Sequence, residues 1–437
     1  MTDRLPRLAW IAGLGAAVAG PPLLWLVATP PEPLWTRLAA VTGLFALTAL
    51  AAAVVLPSRL RSLNRAFGIE SVMEVHRFLG VATVVLVLVH LACVVAADPK
   101  AVALLDLTRG RRPAQAAVAA TVALLLLAVL GATRTHLRLR YEAWRWLHVG
   151  LAGAAFLFAV LHTWLLDHAV RVPAVHAALL VVVGGVLAVL VHRWVWRGLL
   201  DPATEFVVRE VRAESPTVST LILGPRHPAA PSWTFAPGQF AWIRLERSPA
   251  AEEHPFTIAS SSHDDETSFT IRHTGDFTRS LRSLPPGTPV WLDGPHGGFT
   301  GHAGTSGFVL VAGGVGITPM MSMLRTAADR GDRRPYRLVV VASAPDDLLF
   351  REELGFLRDS LDLVVTEVLR RPHDTWNGRT GDLGVSLLAL VLGSLPHPGH
   401  ADWFLCGPPP MVGGVLDVVD VLDVEPSRVH TELFDFA

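Results

Sequence analysis

Four histidines in the first half of the chain share one spacing. His76 and His90 are 14 residues apart, and His148 and His162 are also 14 residues apart. On an α-helix, 14 residues bring a side chain back to within about 40° of the same face and about 21 Å along the axis. Each helix therefore presents two imidazoles on one face. Two such helices facing each other predict two bis-histidine sites, and low-spin haem iron takes two axial imidazoles in this way.

The alternative for these histidines is a polar contact between neighbouring helices of a bundle. A single histidine would favour that interpretation, but ionisable residues inside membrane spans are rare and usually functional. Two pairs with equal spacing and matched depth favour two stacked haems, an arrangement that can carry electrons across a bilayer.

The histidines lie in the third and fifth of six apolar segments, each long enough for a bilayer crossing of about 20 residues. We place these segments at residues 8–28, 38–57, 72–97, 114–133, 144–166 and 173–196. The first segment follows Arg4 and Arg7, but it is too long for a signal peptide and no clear cleavage site follows it.

The distribution of positive charge predicts the orientation of these segments. With the N-terminus inside, the inner segments carry eleven basic residues and the outer loops carry six. This excess predicts cytoplasmic N- and C-termini, although the 98–113 loop is unusually basic for an outer loop. His76 and His148 then share the inner level of the membrane, and His90 and His162 share the outer level.

Composition separates the 437-residue chain into two halves. Residues 1–200 have a formal charge of +10 and residues 201–437 have −11, which gives the net −1 of the whole chain. Only 17% of residues are charged, against about 25% in a typical soluble domain. Disorder and a coiled coil are excluded for the whole chain, and the acidic second half argues against a nucleic-acid partner. Cys93 and Cys406 lie in different halves, so a disulfide framework is excluded, and no CxxCH or cysteine cluster is present.

The second half begins with short strand-like stretches that predict an antiparallel barrel to about residue 298. Its motifs predict a flavin site. An extended strand in "HPFTIAS" would present Thr257 to a flat heteroaromatic ring, with His254 directed towards phosphate. Gly275 and Thr278 stand at a predicted helix start, where backbone N–H groups bind pyrophosphate well. "PGQF" (237–240) and "DGPHGGF" (293–299) complete the set.

From about residue 305, strands alternate with helices as in an open parallel sheet. A predicted strand, Phe308–Ala312, leads into the glycine-rich loop of "AGGVGITPM", with Thr318 as N-cap and Pro319 in the first helical position. This is a phosphate cradle of the strand–loop–helix type. "FLCGPPPM" ends a strand at the same sheet edge, where ligands of such sheets bind. There Cys406 would lie near the reacting end of a nicotinamide, the alternative being an inert buried thiol.

The last aromatic residues offer one further candidate. Phe434 or Phe436 could cover the flavin ring until nicotinamide displaces it, the alternative being core packing. We therefore consider Cys406, Thr257 and Phe436 as candidate catalytic residues.

These motifs resemble one family over nearly the whole chain. The paired histidines resemble the ferric reductase-like transmembrane domain. "HPFT", "GGVGITPM" and "CGPPPM" resemble the ferredoxin-NADP reductase type of FAD/NAD(P)H module. Fused in this order, they resemble the NADPH oxidase and ferric reductase superfamily in a compact bacterial form. The resemblance implies a multidomain protein of the bacterial plasma membrane. Residues 1–200 would form a six-helix transmembrane haem-binding bundle, residues 201–300 an FAD-binding antiparallel β-barrel, and residues 301–437 an NAD(P)H-binding α/β domain with a parallel sheet.

The resemblance also implies the cofactors and their ligands. His76 and His148 would hold the inner haem b, and His90 and His162 the outer one. The residues implied for FAD are His254, Pro255, Phe256, Thr257, Arg272, Gly275 and Thr278. Those implied for the nicotinamide nucleotide are Gly313, Gly314, Gly316, Thr318, Cys406 and Gly407.

The implied activity is transfer of electrons from NAD(P)H through FAD and two haems to an acceptor outside. O₂ giving superoxide is the leading acceptor, a ferric chelate is the close alternative, and a partner protein or quinone is a third. A non-enzymatic membrane cytochrome is a remote alternative. No EF-hand or regulatory domain is visible, so we expect activity without an obligatory regulatory subunit. The choice between NADPH and NADH stays open, because Ser343, Arg370 and Arg371 favour a 2′-phosphate while Asp346 and Asp347 would repel it.

Overall fold

The structure is a computed structural model that describes residues 4–105, 111–137, 139–166, 172–227, 233–301, 305–372, 376–397 and 400–433. The chain divides into two compact units, Met1–Arg197 and Gly198–Ala437.

The first unit is helical. Its helices are α1 (Arg4–Ala28), α2 (Leu34–Val55), the short α3 (Arg61–Phe67), α4 (Ile69–Ala97), α5 (Arg112–Ala132), α6 (Tyr141–Leu165) and α7 (Pro173–Val191), which continues as a π-helical segment, His192–Leu200. Among the described residues, six helices are long and apolar enough to cross a membrane, and they coincide with the six predicted segments. The prediction of six long apolar helices is confirmed.

Apolar side chains lie on both the inside and the outside of this helical unit. Inside, Leu47, Phe156 and Leu179 belong to one buried cluster. Outside, Phe78 and Val181 expose 70% and 75% of their surface. Large apolar patches of this kind are costly in water and mark a surface that meets lipid or a partner.

The second unit contains an antiparallel sheet of six strands. They are β1 (Glu205–Ser215), β2 (Val218–Pro225), β3 (Phe240–Arg244), β4 (His254–Thr257), β5 (Thr267–Arg272) and β6 (Pro289–His296), and a short helix, α8 (Asp276–Leu281), follows β5. Their order is β4-β3-β6-β1-β2-β5. Just beyond edge strand β4, Ile258 forms an isolated bridge with Phe269 of the other edge strand, β5, so a closed barrel stays a prediction while the antiparallel sheet is confirmed.

A parallel sheet follows, with strand order β10-β9-β8-β7-β11-β12. The strands are β7 (Gly307–Gly313), β8 (Tyr336–Ala342), β9 (Leu363–Leu369), β10 (Arg379–Thr380), β11 (Ala401–Gly407) and β12 (Val429–Leu433). The helices are α9 (Thr318–Asp329), α10 (Arg351–Ser360), α11 (Val385–Gly393) and α12 (Pro409–Val421). Every residue of β7, β8 and β11 is buried, as expected when helices cover both faces of a parallel sheet.

Candidate redox sites

The four histidines form two pairs in the helical unit. The ring centroids of His76 and His148 are 6.2 Å apart, and those of His90 and His162 are 6.4 Å apart. A metal ion between two imidazoles, with bonds of about 2.0–2.1 Å to nitrogens that lie about 1.15 Å from their ring centres, would hold the centroids roughly 6.3–6.5 Å apart. The spacing of both pairs therefore fits bis-histidine ligation of haem iron.

Three of the four rings are oriented by a backbone carbonyl. The Nδ1 atom of His76 lies 2.9 Å from the carbonyl oxygen of Ala53, and that of His90 lies 2.8 Å from the oxygen of Ala39. Ala39 and Ala53 are themselves 14 residues apart on α2. The acceptor carbonyls of α2 therefore repeat at the same spacing as the two histidines of α4. Because residue 57 is proline, which has no N–H, the Ala53 carbonyl is free of its usual helical bond.

The third anchored ring belongs to α6. His162 Nδ1 lies 2.9 Å from the carbonyl oxygen of Pro113 on α5. A backbone acceptor for Nδ1–H fixes the tautomer and leaves Nε2 as the ligand atom, which is the usual arrangement for metal-bound histidine. The donor set, two imidazoles per level, therefore fits haem b.

His148 differs from the other three. Its Nδ1 atom is buried without a hydrogen-bond partner among the described residues. Its ring instead packs on Trp144, with 5.1 Å between centroids. Trp144 is held by a hydrogen bond of 3.1 Å from Nε1 to the Leu130 carbonyl and by the Arg134 guanidinium, 4.7 Å above its ring. A tryptophan one turn earlier on α6 thus orients the fourth histidine.

The flavin candidates lie on β4 and around α8. Thr257 is buried and pairs with Phe240 of β3. Phe256 stacks on Phe277 with 6.3 Å between centroids. His254 packs on the same Phe277 at 4.5 Å, and its Nε2 lies 2.8 Å from a carboxylate oxygen of Glu252.

Gly275 is the N-cap of α8, as the predicted helix start requires. The hydroxyl of Thr278 accepts hydrogen bonds from the backbone N–H groups of Gly275 at 2.9 Å and Thr274 at 3.0 Å. These two N–H groups are therefore already paired.

Arg272, at the end of β5, connects the flavin candidates with the nucleotide loop. Its Nη2 lies 3.7 Å from a carboxylate oxygen of Asp347. A Cβ placed on Gly314, which has a φ of +54°, would lie 3.1 Å from the same Nη2. The sequence interpretation placed Asp347 against a 2′-phosphate and missed its ion pair with Arg272.

The nucleotide candidates lie where the strand order of the parallel sheet reverses. Strand β7 pairs with β8 on one side and with β11 on the other. The glycine-rich loop follows β7, and Cys406 and Gly407 end β11, so both meet at the carboxyl edge where such sheets bind ligands. A Cβ on Gly316 would lie 2.4 Å from the Cys406 carbonyl oxygen, and only glycine allows this approach. Likewise, a Cβ on Gly313 would lie 2.8 Å from Pro408.

The start of the helix after this loop differs from the sequence interpretation. Thr318 is not an N-cap: the cap is Ile317, and Thr318 is already helical. Its hydroxyl donates to the Val315 carbonyl at 3.0 Å, because a short 3₁₀ turn precedes α9.

The thiol of Cys406 is fully buried, and burial, with a smaller effect of the Glu432 charge, raises its pKa well above the usual value. Its backbone, rather than a reactive thiolate, meets the glycine loop. Phe434 and Phe436 lie outside the described residues.

Models of three protein families match successive regions of the chain. Residues 42–166 match the ferric reductase like transmembrane component, residues 213–286 match an FAD-binding domain, and residues 310–417 match the oxidoreductase NAD-binding domain.

The second half also resembles curated reductases. It is 29% identical over 247 residues to the reductase component of propane 2-monooxygenase from Rhodococcus jostii, covering 53% of this chain and 64% of that protein. It is 30% identical over 168 residues to NADH-cytochrome b5 reductase 1 from Pyricularia oryzae, covering 37% and 53%. The chain thus spans between about half and two thirds of these relatives.

Among solved structures, the FAD/NAD-binding domain of nitric oxide dioxygenase from Vibrio cholerae is 24% identical, with a TM-score of 0.47, covering 53% of this chain and 98% of that one. The family matches and the reductase relatives support an NAD(P)H-dependent flavoprotein oxidoreductase with a ferric reductase-like membrane part.

Proposed function

We propose that this flavoprotein oxidoreductase, which has the domain architecture of the NADPH oxidase and ferric reductase superfamily, carries electrons from cytosolic NAD(P)H across the membrane to an acceptor outside. The observation that carries the proposal is the geometry of the two histidine pairs, at 6.2 and 6.4 Å, on helices of the ferric reductase-like part. A flavin and nicotinamide module without such pairs would reduce an acceptor on its own side only.

The cofactors would supply the redox chemistry. When bound, FAD would supply a two-electron acceptor for hydride, which is two electrons and one proton, and the haems would supply one-electron acceptors. Each NAD(P)H becomes NAD(P)⁺, releases one proton and reduces two acceptor molecules, either O₂ to superoxide or ferric to ferrous iron.

The chain's own residues hold and orient these groups. His76 and His148 would hold the inner haem and His90 and His162 the outer one. Backbone carbonyls orient three of the rings, and Trp144 orients the ring of His148.

In the second unit, buried Thr257 lies at the end of the strand proposed to meet the flavin. Arg272 supplies a positive charge suited to pyrophosphate. The close contact of Gly316 with the Cys406 backbone shapes the loop proposed for the nucleotide phosphates. Cys406 itself, Phe436 and the remaining candidates from the sequence stay predictions.

The proposed orientation places the N- and C-termini in the cytoplasm of a bacterial cell. It rests on the excess of arginine in the inner segments and on six apolar helices, an even number. Cysteine labelling at each end in intact and permeabilised cells tests it, and labelling of either end in intact cells would contradict it.

Oxygen is the first acceptor to test, because it needs only a small space beside the outer haem. The purified protein is reduced with NADPH or NADH without air, and separate portions then receive air, ferric citrate or a water-soluble quinone. Rapid reoxidation in air with dismutase-sensitive product supports the oxidase. Reoxidation by ferric citrate alone would contradict the oxidase and indicate a ferric-chelate reductase. Reoxidation by quinone alone would indicate an electron donor to respiration.

A further inference from the structure

A polar stripe on helix α9 holds the nucleotide loop against the segment that follows the flavin strand. Ser322, Arg325, Thr326 and Asp329 follow one another at helical spacing, so their side chains share one face. Ser322, Thr326 and the first residues of the facing segment, Ala259–Ser261, are buried. Through this face, α9 of the nucleotide domain packs firmly against the segment that follows β4 of the antiparallel sheet.

The contact consists of hydrogen bonds between α9 and residues 259–263. Ser322 Oγ donates to the Ser260 carbonyl at 2.8 Å. The Ser262 backbone N–H donates to Thr326 Oγ1 at 3.0 Å, and the Ser261 hydroxyl donates to the Asp329 carboxylate.

Arg325 makes the bond nearest to the flavin strand. Its Nη1 donates to the Ala259 carbonyl at 2.6 Å, and its Nε and Nη2 donate to the Glu353 carboxylate at 2.6 and 2.7 Å. The Arg325 side chain is only 14% exposed. A bidentate guanidinium–carboxylate pair has a fixed geometry, so Glu353 of α10 holds Arg325 towards Ala259.

The Arg325–Ala259 hydrogen bond joins two segments that lie close in sequence to the candidate sites. Ala259 is two residues beyond Thr257, and its N–H donates to the Ser268 carbonyl at 2.7 Å, which fixes it to the antiparallel sheet. Arg325 lies seven residues after Thr318, about 10 Å along a helix that begins where the glycine loop ends.

We propose that Arg325 is a positioning residue for hydride transfer: it sets the distance between the glycine loop and the flavin strand without touching either reactant. This inference rests on the proposed transfer of hydride from NAD(P)H to FAD and is independent of the haems. A displacement of about 1 Å at the reacting atoms can slow a reaction about 100-fold. Removal of the Arg325 side chain is therefore expected to lower the rate of hydride transfer and to leave nucleotide affinity nearly unchanged.

The test uses the full-length, FAD-loaded protein in detergent and follows flavin bleaching in anaerobic stopped flow over a range of NADPH and NADH concentrations. For Arg325→Met we expect the limiting rate to fall at least about tenfold, with nucleotide half-saturation changed less than about threefold. With C4-deuterated nucleotide, the isotope effect on flavin reduction should rise, which a purely structural role would not produce. Arg325→Lys should recover part of the rate.

Arg351→Met is the matched control. Arg351 makes the same bidentate bonds to Glu367, at 2.8 and 2.9 Å, but within the described residues it has no bond to the 259–263 segment such as the one from Arg325 to Ala259. Its limiting rate should stay within about twofold of the wild type. If Arg325→Met loses FAD, Glu353→Gln decides the question, because it keeps the Arg325 side chain and removes the carboxylate that holds it towards Ala259.

The outcomes separate this inference from the proposed function. Wild-type flavin that neither nucleotide reduces would refute the proposed function itself. Wild-type flavin that is reduced, with Arg325→Met and Glu353→Gln equally fast, overturns the positioning role. An equal loss in Arg351→Met also overturns it, because the effect would then be common to such ion pairs.

Discussion

Single residues decide whether the outer histidine pair can form. A Cβ on Gly43 of α2 would lie 2.9 Å from Nδ1 of His90 and 3.0 Å from its Cε1. The His90 ring cannot easily move away, because its Nδ1 is bonded to the Ala39 carbonyl. Glycine is required here by the close approach of an imidazole.

We therefore expect Gly43→Ala to displace His90 and to lower the haem content from two towards one per FAD. The measurement is the pyridine haemochrome assay against FAD on the purified protein. Gly80→Ala is the control, because a Cβ on this helical glycine of α4 meets nothing within 4 Å. Two haems per FAD in Gly43→Ala would show that His90 is not a ligand at this position.

The Cys406 thiol gives a prediction of pH dependence. Burial, and then the charge of Glu432, raises its pKa, so the reactive thiolate forms only above the usual range of about 8.5. We expect no alkylation of Cys406 by iodoacetamide in the native protein between pH 7 and 9, and rapid alkylation after unfolding in urea. Mass spectrometry of the labelled peptides measures this, and fast native labelling at pH 7 would mean an accessible thiolate.

The sequence predicted which single residues form the candidate sites better than it predicted the residues that they contact. The 14-residue spacing identified all four histidines, and the structure brings them together in pairs. The sequence could not identify Ala53 as the partner of His76, Asp347 as that of Arg272 or Glu353 as that of Arg325, because each pair meets through a tertiary contact between distant segments. The polar stripe of α9, formed by Ser322, Arg325, Thr326 and Asp329 at helical spacing, was a signal that periodicity could have detected.

Helix α6, with residues at the end of α5 and just after it, positions His148 of the inner pair. The Trp144 ring contacts both the Arg134 guanidinium, at 4.7 Å, and the His148 ring, at 5.1 Å. This arrangement follows from helix geometry, because residues four apart on α6 stack on one face.

We expect Trp144→Leu to loosen His148 and to shift or weaken one of the two low-spin haem signals in electron paramagnetic resonance, while the other is kept. Trp164→Leu is the matched control on the same helix, because the Trp164 ring packs on His176 at 4.8 Å and on none of the four paired histidines. Two unchanged signals in Trp144→Leu would contradict this role, as would an equal change in the control.

Element boundaries followed the sequence closely where the pattern was strong. The predicted strand Phe308–Ala312 lies within β7, and the six apolar segments lie within or close to the observed helices. The N-cap at Thr318 was wrong because a 3₁₀ turn, Gly314–Ile317, begins the helical turn earlier. Short turns of this kind depend on local backbone geometry that residue types do not determine.

Across the whole chain, the opposite charges of the two halves correspond to two different environments. The helical unit exposes large apolar side chains such as Phe78, and the acidic unit contains the two sheets. The domain boundaries at residues 200 and 300 stay predictions, as do the haems, the acceptor and the orientation. The sequence motifs predicted a membrane part, then a flavin part, then a nucleotide part. The family matches show the same order.

The most direct test of transmembrane electron transfer uses sealed proteoliposomes with cytochrome c trapped inside and NADPH or NADH added outside. Superoxide dismutase trapped in parallel vesicles distinguishes direct from superoxide-mediated reduction. We predict that the trapped cytochrome c is reduced by the wild-type protein and not by a variant carrying His90→Leu and His162→Leu. Flavin reduction in that variant should stay normal. Reduction of an external acceptor alone, or equal reduction of the trapped cytochrome c by the variant, would contradict a path across the membrane through the two histidine pairs.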